Sequence, residues 1–179
     1  MENLNFKISE AVNEPIKDYL DGSSEKESLL NKLEEMKSYQ YEIPIIINGQ
    51  EVKTNDLGYC VMPHNHQHIL ASYHKAGPDE VEMAINSLLD AWKEWSHTPL
   101  EKRIEIFKKM ASLLQNEYRD TINAATMLGQ SKNVYQAEID AACELIDFFN
   151  FNALYAKNIH SKQELISPNG MKNSLEYRP

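Results

Sequence analysis

The sequence predicts a mostly helical α+β chain with a β-hairpin region near its N-terminus. Three observations carry that prediction. Apolar residues recur at helical spacing in successive stretches after residue 23. Between residues 43 and 76 the period shortens to apolar or alternating runs, punctuated by Asn48-Gly49 and Pro63. Finally, the run from Met127 to Tyr155 reads as a helix stop, a new start and one long helix with acids mixed into its apolar stripes. The chain divides accordingly into an N-terminal arm and helix (residues 1–42), a β-hairpin region (43–76) and a helical part (77–179).

Residues 1–22 form an irregular lead-in with turns near Pro15 and Gly22. Ser24 to Glu27 has the form of a capping box, serine with glutamate three residues on. The amphipathic helix that follows turns Leu29, Leu30, Leu33, Met36 and Tyr39 or Gln40 inward. Ile43 to Ile47 is a short apolar strand, and Asn48-Gly49 turns the chain into a second strand, Glu51 to Thr54. Two more strands follow, Tyr59–Met62 and Ile69–His74, and Pro63 between them marks the first as an edge.

Gly77-Pro78-Asp79-Glu80 starts the next helix, with proline at its first position and acids in its first turn. Val81, Ala84, Ile85, Leu88, Leu89, Trp92 and Trp95 make a wide apolar face, which places both tryptophans in the core. Thr98 to Glu101 is a second capping box, and Ile104, Phe107, Ala111 and Leu114 then face inward. The pattern restarts with Tyr118, Ile122, Ala125, Thr126 and Met127, and Gly129 is the expected helix stop. A long helix runs from about Asn133 to Lys157. Lys162 to Asn173 is a polar connector, and Ser174 to Tyr177 starts a strand that breaks off at Arg178-Pro179, the pattern of an interrupted domain.

Composition bounds the function. A formal charge of −9 with no basic stripe argues against a nucleic-acid surface. No apolar run approaches the roughly 20 residues of a membrane span. The N-terminus lacks the blocks of a secretion signal or a presequence, so the compartment expected is the cytoplasm, or the mitochondrial matrix in a eukaryote. Cys60 and Cys143 are too few and too far apart for a disulfide framework, and both read as small buried apolar residues rather than nucleophiles. His64, His66 and His68 alternate and could share one face of an extended chain, but Pro63 to His66 reads as a polar turn that scatters them, and no metal site is expected. With six glycines in all and no glycine-rich phosphate loop, no nucleotide cradle is apparent.

Glu144 is the one candidate site residue. At 100° per residue its neighbours on the helix are Ala137, Ala141, Phe148, Phe151 and Tyr155, with Asp140 and Asp147 along its other side. That places a carboxylate at the edge of an aromatic and alanine stripe. Two readings fit: the polar boundary of an amphipathic helix, or a carboxylate held beside aromatics to receive a cationic or N–H-bearing ligand.

The order of segments IPIIINGQEVKT, VMPHNHQHILASYHKA and GPDEVEMAINSLLDAWKEWSHTPLEKRIEIFKKMASLL resembles the N-terminal portion of the aldehyde dehydrogenase superfamily. TMLGQSKNVYQAEIDAACELIDFFNFNALYA and NEPIKDYLDGSSEKESL narrow the likeness to its Δ1-pyrroline-5-carboxylate (glutamate-γ-semialdehyde) dehydrogenase branch. The resemblance implies an α/β aldehyde dehydrogenase-like fold in the parent enzyme, of which this chain is the first third, truncated before the Rossmann core and the catalytic domain. It implies NAD-dependent oxidation of an amino acid aldehyde through a cysteine thiolate, and a homo-oligomer at full length. It also implies that the catalytic groups and the NAD site lie downstream, leaving this chain inactive alone and without cofactor. One role carries over, to the glutamate of the AACELIDFF segment: Glu144 anchors the amino acid part of the substrate. Cys143 stands where the family more often has alanine. The alternative from another class is a stand-alone helical interaction module on an enzyme-derived scaffold.

Overall fold

The computed structural model describes residues 10–161 and 165–177. Residues 1–9 of the lead-in, 162–164 of the connector and 178–179 lie outside it. Helix α1 spans Ser24–Ser38. Its cap is Ser23, one residue earlier than the capping-box reading, and the Ser23 side chain accepts from the Lys26 N–H at 3.3 Å. Leu29 and Leu33 are buried, while Leu30 and Tyr39 stay exposed.

The apolar run at Ile43 is two strands rather than one. β1 (Tyr41–Ile43) and β2 (Ile45–Ile47) are separated at Pro44, which has no N–H to give to a ladder. β1 pairs in parallel with β5 (Asn65–His74), and β5 pairs antiparallel with β4 (Leu57–Met62), giving the order β1-β5-β4. β4 is an edge, as Pro63 implied. β2 pairs with β3 (Gln50–Val52) across Asn48-Gly49, where both residues have positive φ, 50° and 72°. A register shift between Cys60 and Val61 breaks the alternation of β4, and Cys60 is exposed, contrary to its reading as buried.

α2 (Pro78–Trp95) starts as expected, with Glu80 accepting from the Gly77 N–H at 2.7 Å. Its apolar face is nevertheless not core. No α2 residue is buried; Leu88 is 68% exposed, Trp92 53% and Trp95 39%. Helical spacing fixes which face is apolar, but here that face stays largely exposed, with Arg103 set over the Trp95 ring at 5.9 Å. α3 (Leu100–Asn116) has Pro99 at its cap, and the Thr98 hydroxyl donates back to the Glu94 carbonyl instead of capping forward. Ile104, Ala111 and Leu114 are buried; Phe107 is 44% exposed but stands 5.8 Å from the Phe149 ring.

α4 (Arg119–Gln130) runs through Gly129 and ends at Ser131, whose φ of 56° makes it the left-handed cap. Its buried face is Arg119, Asn123, Ala124, Thr126 and Leu128, so Ala125 is exposed and the inward face is partly polar. The expected long helix is three segments: α5 (Val134–Ala137), a π-helical turn (Glu138–Cys143) and α6 (Glu144–Ser161). Asn133 starts it through a reciprocal cap with Gln136. Residues 174–177 form no strand; Tyr177 instead sets its ring 4.7 Å from that of His160.

α1 packs on α4 and α3 on α6. Tyr19, Leu29, Leu33, Met62, Ala124 and Leu128 fill one core, and Ala111, Leu114 and Ile146 the other. No helix of the described residues is long and apolar enough to cross a membrane.

Candidate functional site

The π turn sets the geometry around Glu144. The Glu144 N–H donates to the Ile139 carbonyl, five residues back, so one extra residue enters the helix. That rotates everything before it by about 100° relative to a regular helix. Ala137, expected beneath Glu144, is fully buried, whereas Phe148, Phe151 and Tyr155 keep the expected face.

With Glu144 those rings line an open groove of about 760 Å³, within the range of small-molecule sites. The opposite side is the extended arm, through Asn13, Glu14 and Ile16. Of the carboxylates nearby, most are engaged. Asp147 accepts from the Asn13 side chain at 2.8 Å and from the Glu14 N–H at 2.7 Å. Asp140 pairs with Lys132 at 2.7 Å. Glu14 accepts from Arg119 at 2.5 Å and from Gln115 at 2.8 Å. Glu144 is exposed, and its carboxylate has no hydrogen bond or ion pair among the described residues.

Beneath the groove lies a buried polar network that the sequence did not reveal. Glu138 is fully buried and Arg119 is 3% exposed. Oε1 of Glu138 accepts from Arg119 Nη2 and from the Lys17 N–H at 2.8 Å. Oε2 accepts from the Tyr19 hydroxyl at 2.8 Å, Asn123 Nδ2 at 2.8 Å and Arg119 Nε at 3.3 Å. Arg119 also donates to the Pro15 carbonyl at 2.8 Å. Burial works against an ionised Glu138, but the Arg119 hydrogen bond and its other donors overcome this and hold the carboxyl at about 2. Burial likewise opposes the Arg119 charge, and hydrogen bonds to Glu138 and Glu14 raise its pKa all the same. Tyr19 is raised by burial and by the Glu138 acceptor.

Cys143 is 5% exposed at the floor of this groove, and burial together with the Glu138 charge pushes its thiol up to about 11. Its reading as a buried, unreactive residue agrees with this environment. His64 Nδ1 lies 2.7 Å from the Ser131 hydroxyl, and His66 and His68 stand on β5. Among the described residues no three His, Cys, Asp or Glu side chains are grouped to hold a metal ion.

Could sequence alone have found the network? Arg119 and Asn123 sit one turn apart on α4, but Glu138 lies 19 and 15 positions on, beyond a helix break, and their remaining partners lie on residues 14–19, more than a hundred positions away. Local spacing carries no such signal.

Comparison with known proteins agrees with the architecture. Residues 52–179 match the aldehyde dehydrogenase family. The chain is 45% identical over 175 residues to the delta-1-pyrroline-5-carboxylate dehydrogenase of Agaricus bisporus, covering 97% of this chain and 32% of that one. To the mitochondrial delta-1-pyrroline-5-carboxylate dehydrogenase of Homo sapiens it is 42% identical over 167 residues, covering 93% and 30%. Its fold matches the crystal structure of the Mycobacterium tuberculosis delta-pyrroline-5-carboxylate dehydrogenase bound with NAD at a TM-score of 0.88, with 35% identity, over 93% of this chain and 31% of that one. The chain thus spans about a third of the length of the relatives it matches.

Proposed function

The chain belongs to the aldehyde dehydrogenase family, and from that premise we propose that it forms the substrate-recognition part of an NAD-dependent dehydrogenase for L-glutamate-γ-semialdehyde. This aldehyde is the open form of Δ1-pyrroline-5-carboxylate, and its oxidation yields L-glutamate in proline breakdown. The names of the relatives support the activity. One observation supports the recognition role: Glu144 is an unengaged carboxylate at the rim of an aromatic groove of small-molecule size. Such a carboxylate accepts charge-assisted hydrogen bonds from an ammonium or ring N–H, which a plain aliphatic aldehyde lacks.

Catalysis is assigned to sequence outside these residues. Cys143 is buried with a raised pKa, and Cys60 does not line the groove. NAD does not fit the residues present either. Gly77 is the one glycine at a strand-to-helix turn, and its N–H is taken by Glu80, whose carboxylate would repel a pyrophosphate. The 179-residue chain alone is therefore expected to be inactive and unshifted in thermal melts by NAD.

The decisive experiment is steady-state kinetics of the full gene product on the semialdehyde and on propionaldehyde. Glu144→Ala is expected to raise KM for the semialdehyde by at least about tenfold, the order of one hydrogen bond to a charged group, and far less for propionaldehyde. Equal losses on both substrates would remove Glu144 from recognition.

A further inference from the structure

The groove has two walls, and only one of them is a helix. Asn13, Glu14 and Ile16 make the other, from a stretch with no secondary structure of its own. An extended segment on a surface has no ladder to fix it, so something else must. Two carboxylates do so, together with Arg119, which donates to the Glu14 carboxylate at 2.5 Å and to the Pro15 carbonyl at 2.8 Å, and Gln115, which donates to Glu14 at 2.8 Å. At the lip, Asp147 accepts from the Asn13 side chain at 2.8 Å and from the Glu14 N–H at 2.7 Å. Beneath, Glu138 accepts from the Lys17 N–H at 2.8 Å and from Tyr19 at 2.8 Å.

The two anchors differ in kind. Glu138 is fully buried and shared with Arg119 and Asn123, so it belongs to the core. Asp147 is half-buried, touches only the arm in this network and stands three residues after Glu144 on α6. Three residues along a helix is about 60° around its axis, so the two acids share a face. On that face one acid is bound to the arm and the other is open to a ligand.

We propose that residues 13–16 are the second wall of the Glu144 groove and that Asp147 is the positioning residue at its lip, fixing Asn13 and the Glu14 backbone while Arg119 and Gln115 fix the Glu14 side chain and Pro15 from beneath, so that the arm determines how well an amino acid aldehyde is seated against Glu144. The inference rests on the recognition role proposed for Glu144. Asp147 has a second effect in the same arrangement. By accepting two N–H groups from the arm it keeps its own charge from competing for the ligand ammonium, which leaves a single anionic contact and one orientation of the bound molecule.

Two measurements test this, and neither depends on a variant that disrupts the core. The first is amide hydrogen exchange on the full gene product, comparing wild type with Asp147→Ala. Protection of the Glu14 amide is expected to fall by at least about tenfold while the Lys17 amide, held by Glu138, keeps its protection. Unchanged Glu14 exchange overturns the positioning role. Loss of protection at both amides, with the helices also loosened, overturns it as well, because Asp147 would then be a general structural residue.

The second is kinetics of the full gene product. Asp147→Ala is expected to lower the preference for the semialdehyde over propionaldehyde by about tenfold, through KM more than kcat. Asp147→Asn keeps one acceptor oxygen and should fall between alanine and wild type. A freed arm with unchanged preference overturns the wall; so does an equal loss on both aldehydes. If Glu144→Ala alters the preference and Asp147→Ala does not, this inference fails and the recognition role of Glu144 stands. If Glu144→Ala has no effect, or wild type does not oxidise the semialdehyde, both fail.

Discussion

Glu138→Gln probes the buried network most directly. Glutamine keeps the shape of the side chain but replaces one acceptor oxygen by an NH2 group. On either side that group faces donors: Lys17 N–H and Arg119 on one, Tyr19, Asn123 and Arg119 on the other. It also removes a charge from a guanidinium that is 3% exposed. Breaking a buried ion pair from one side costs about 3–5 kcal/mol. Glu14 remains on Arg119 at 2.5 Å, which places the expected loss near the lower end, about 3 kcal/mol. For a chain of this length each kcal/mol moves the thermal midpoint by about 2–4 °C, so a drop of about 6–12 °C is expected by circular dichroism. The pH dependence has a definite sign. The folded carboxyl is held at about 2, below its ordinary value of 4.5. Its contribution is therefore complete above pH 4.5 and drains away as pH falls toward 2, where the gap between wild type and variant should close. A gap under about 1 kcal/mol at neutral pH, the size of an exposed pair, would refute the reasoning. A gap that does not change across that pH window would do the same.

Two further predictions concern the thiols and α2. Native protein should lose one thiol quickly to iodoacetamide at pH 8, the exposed Cys60, while Cys143 reacts only on unfolding; mass spectrometry of the labelled peptides decides it, and fast labelling of both would show that the Cys143 environment is open. The isolated chain should bind the dye ANS through the α2 face, where Ile85, Leu88 and Leu89 are each more than half exposed, and Leu88→Glu with Ile85→Lys should cut the signal without altering the helical spectrum. Unchanged fluorescence would mean that this face is covered in solution.

Much of the fold was legible because its signals are local. Pro78 at the first turn of α2, Asn48-Gly49 at the hairpin and Asn133 with Gln136 at the start of α5 each fix their structure within four residues. Errors arose where a local pattern had to stand for a distant fact. The apolar stripe of α2 says nothing about a covering layer, and the apolar run around Cys60 does not say which side of the strand the thiol faces. Thr98 could cap forward or backward, and only the path between helices makes it bond to Glu94.

The π turn is the instructive case, since no residue in EIDAAC announces it. Its cause is visible in three dimensions. Glu138 must point inward to meet Arg119, Lys17, Tyr19 and Asn123, while Glu144, Phe148 and Tyr155 must face the groove. In a regular helix Ala137 would sit only about 20° from Glu144, and Glu138 would lie about 120° away, along the flank of the groove. One inserted residue carries Ala137 to about 120° from Glu144, onto the buried side, and moves Glu138 from about 120° on one flank to about 140° on the other, where both are buried while Glu144 stays exposed. The helix thereby carries two carboxylates six positions apart in opposite conditions, one ion-paired in the core and one open at the surface. The buried one fixes the arm from below and the turn from within. Asp147, and not Glu144, meets the arm at the lip, which leaves the open carboxylate without a partner among the described residues.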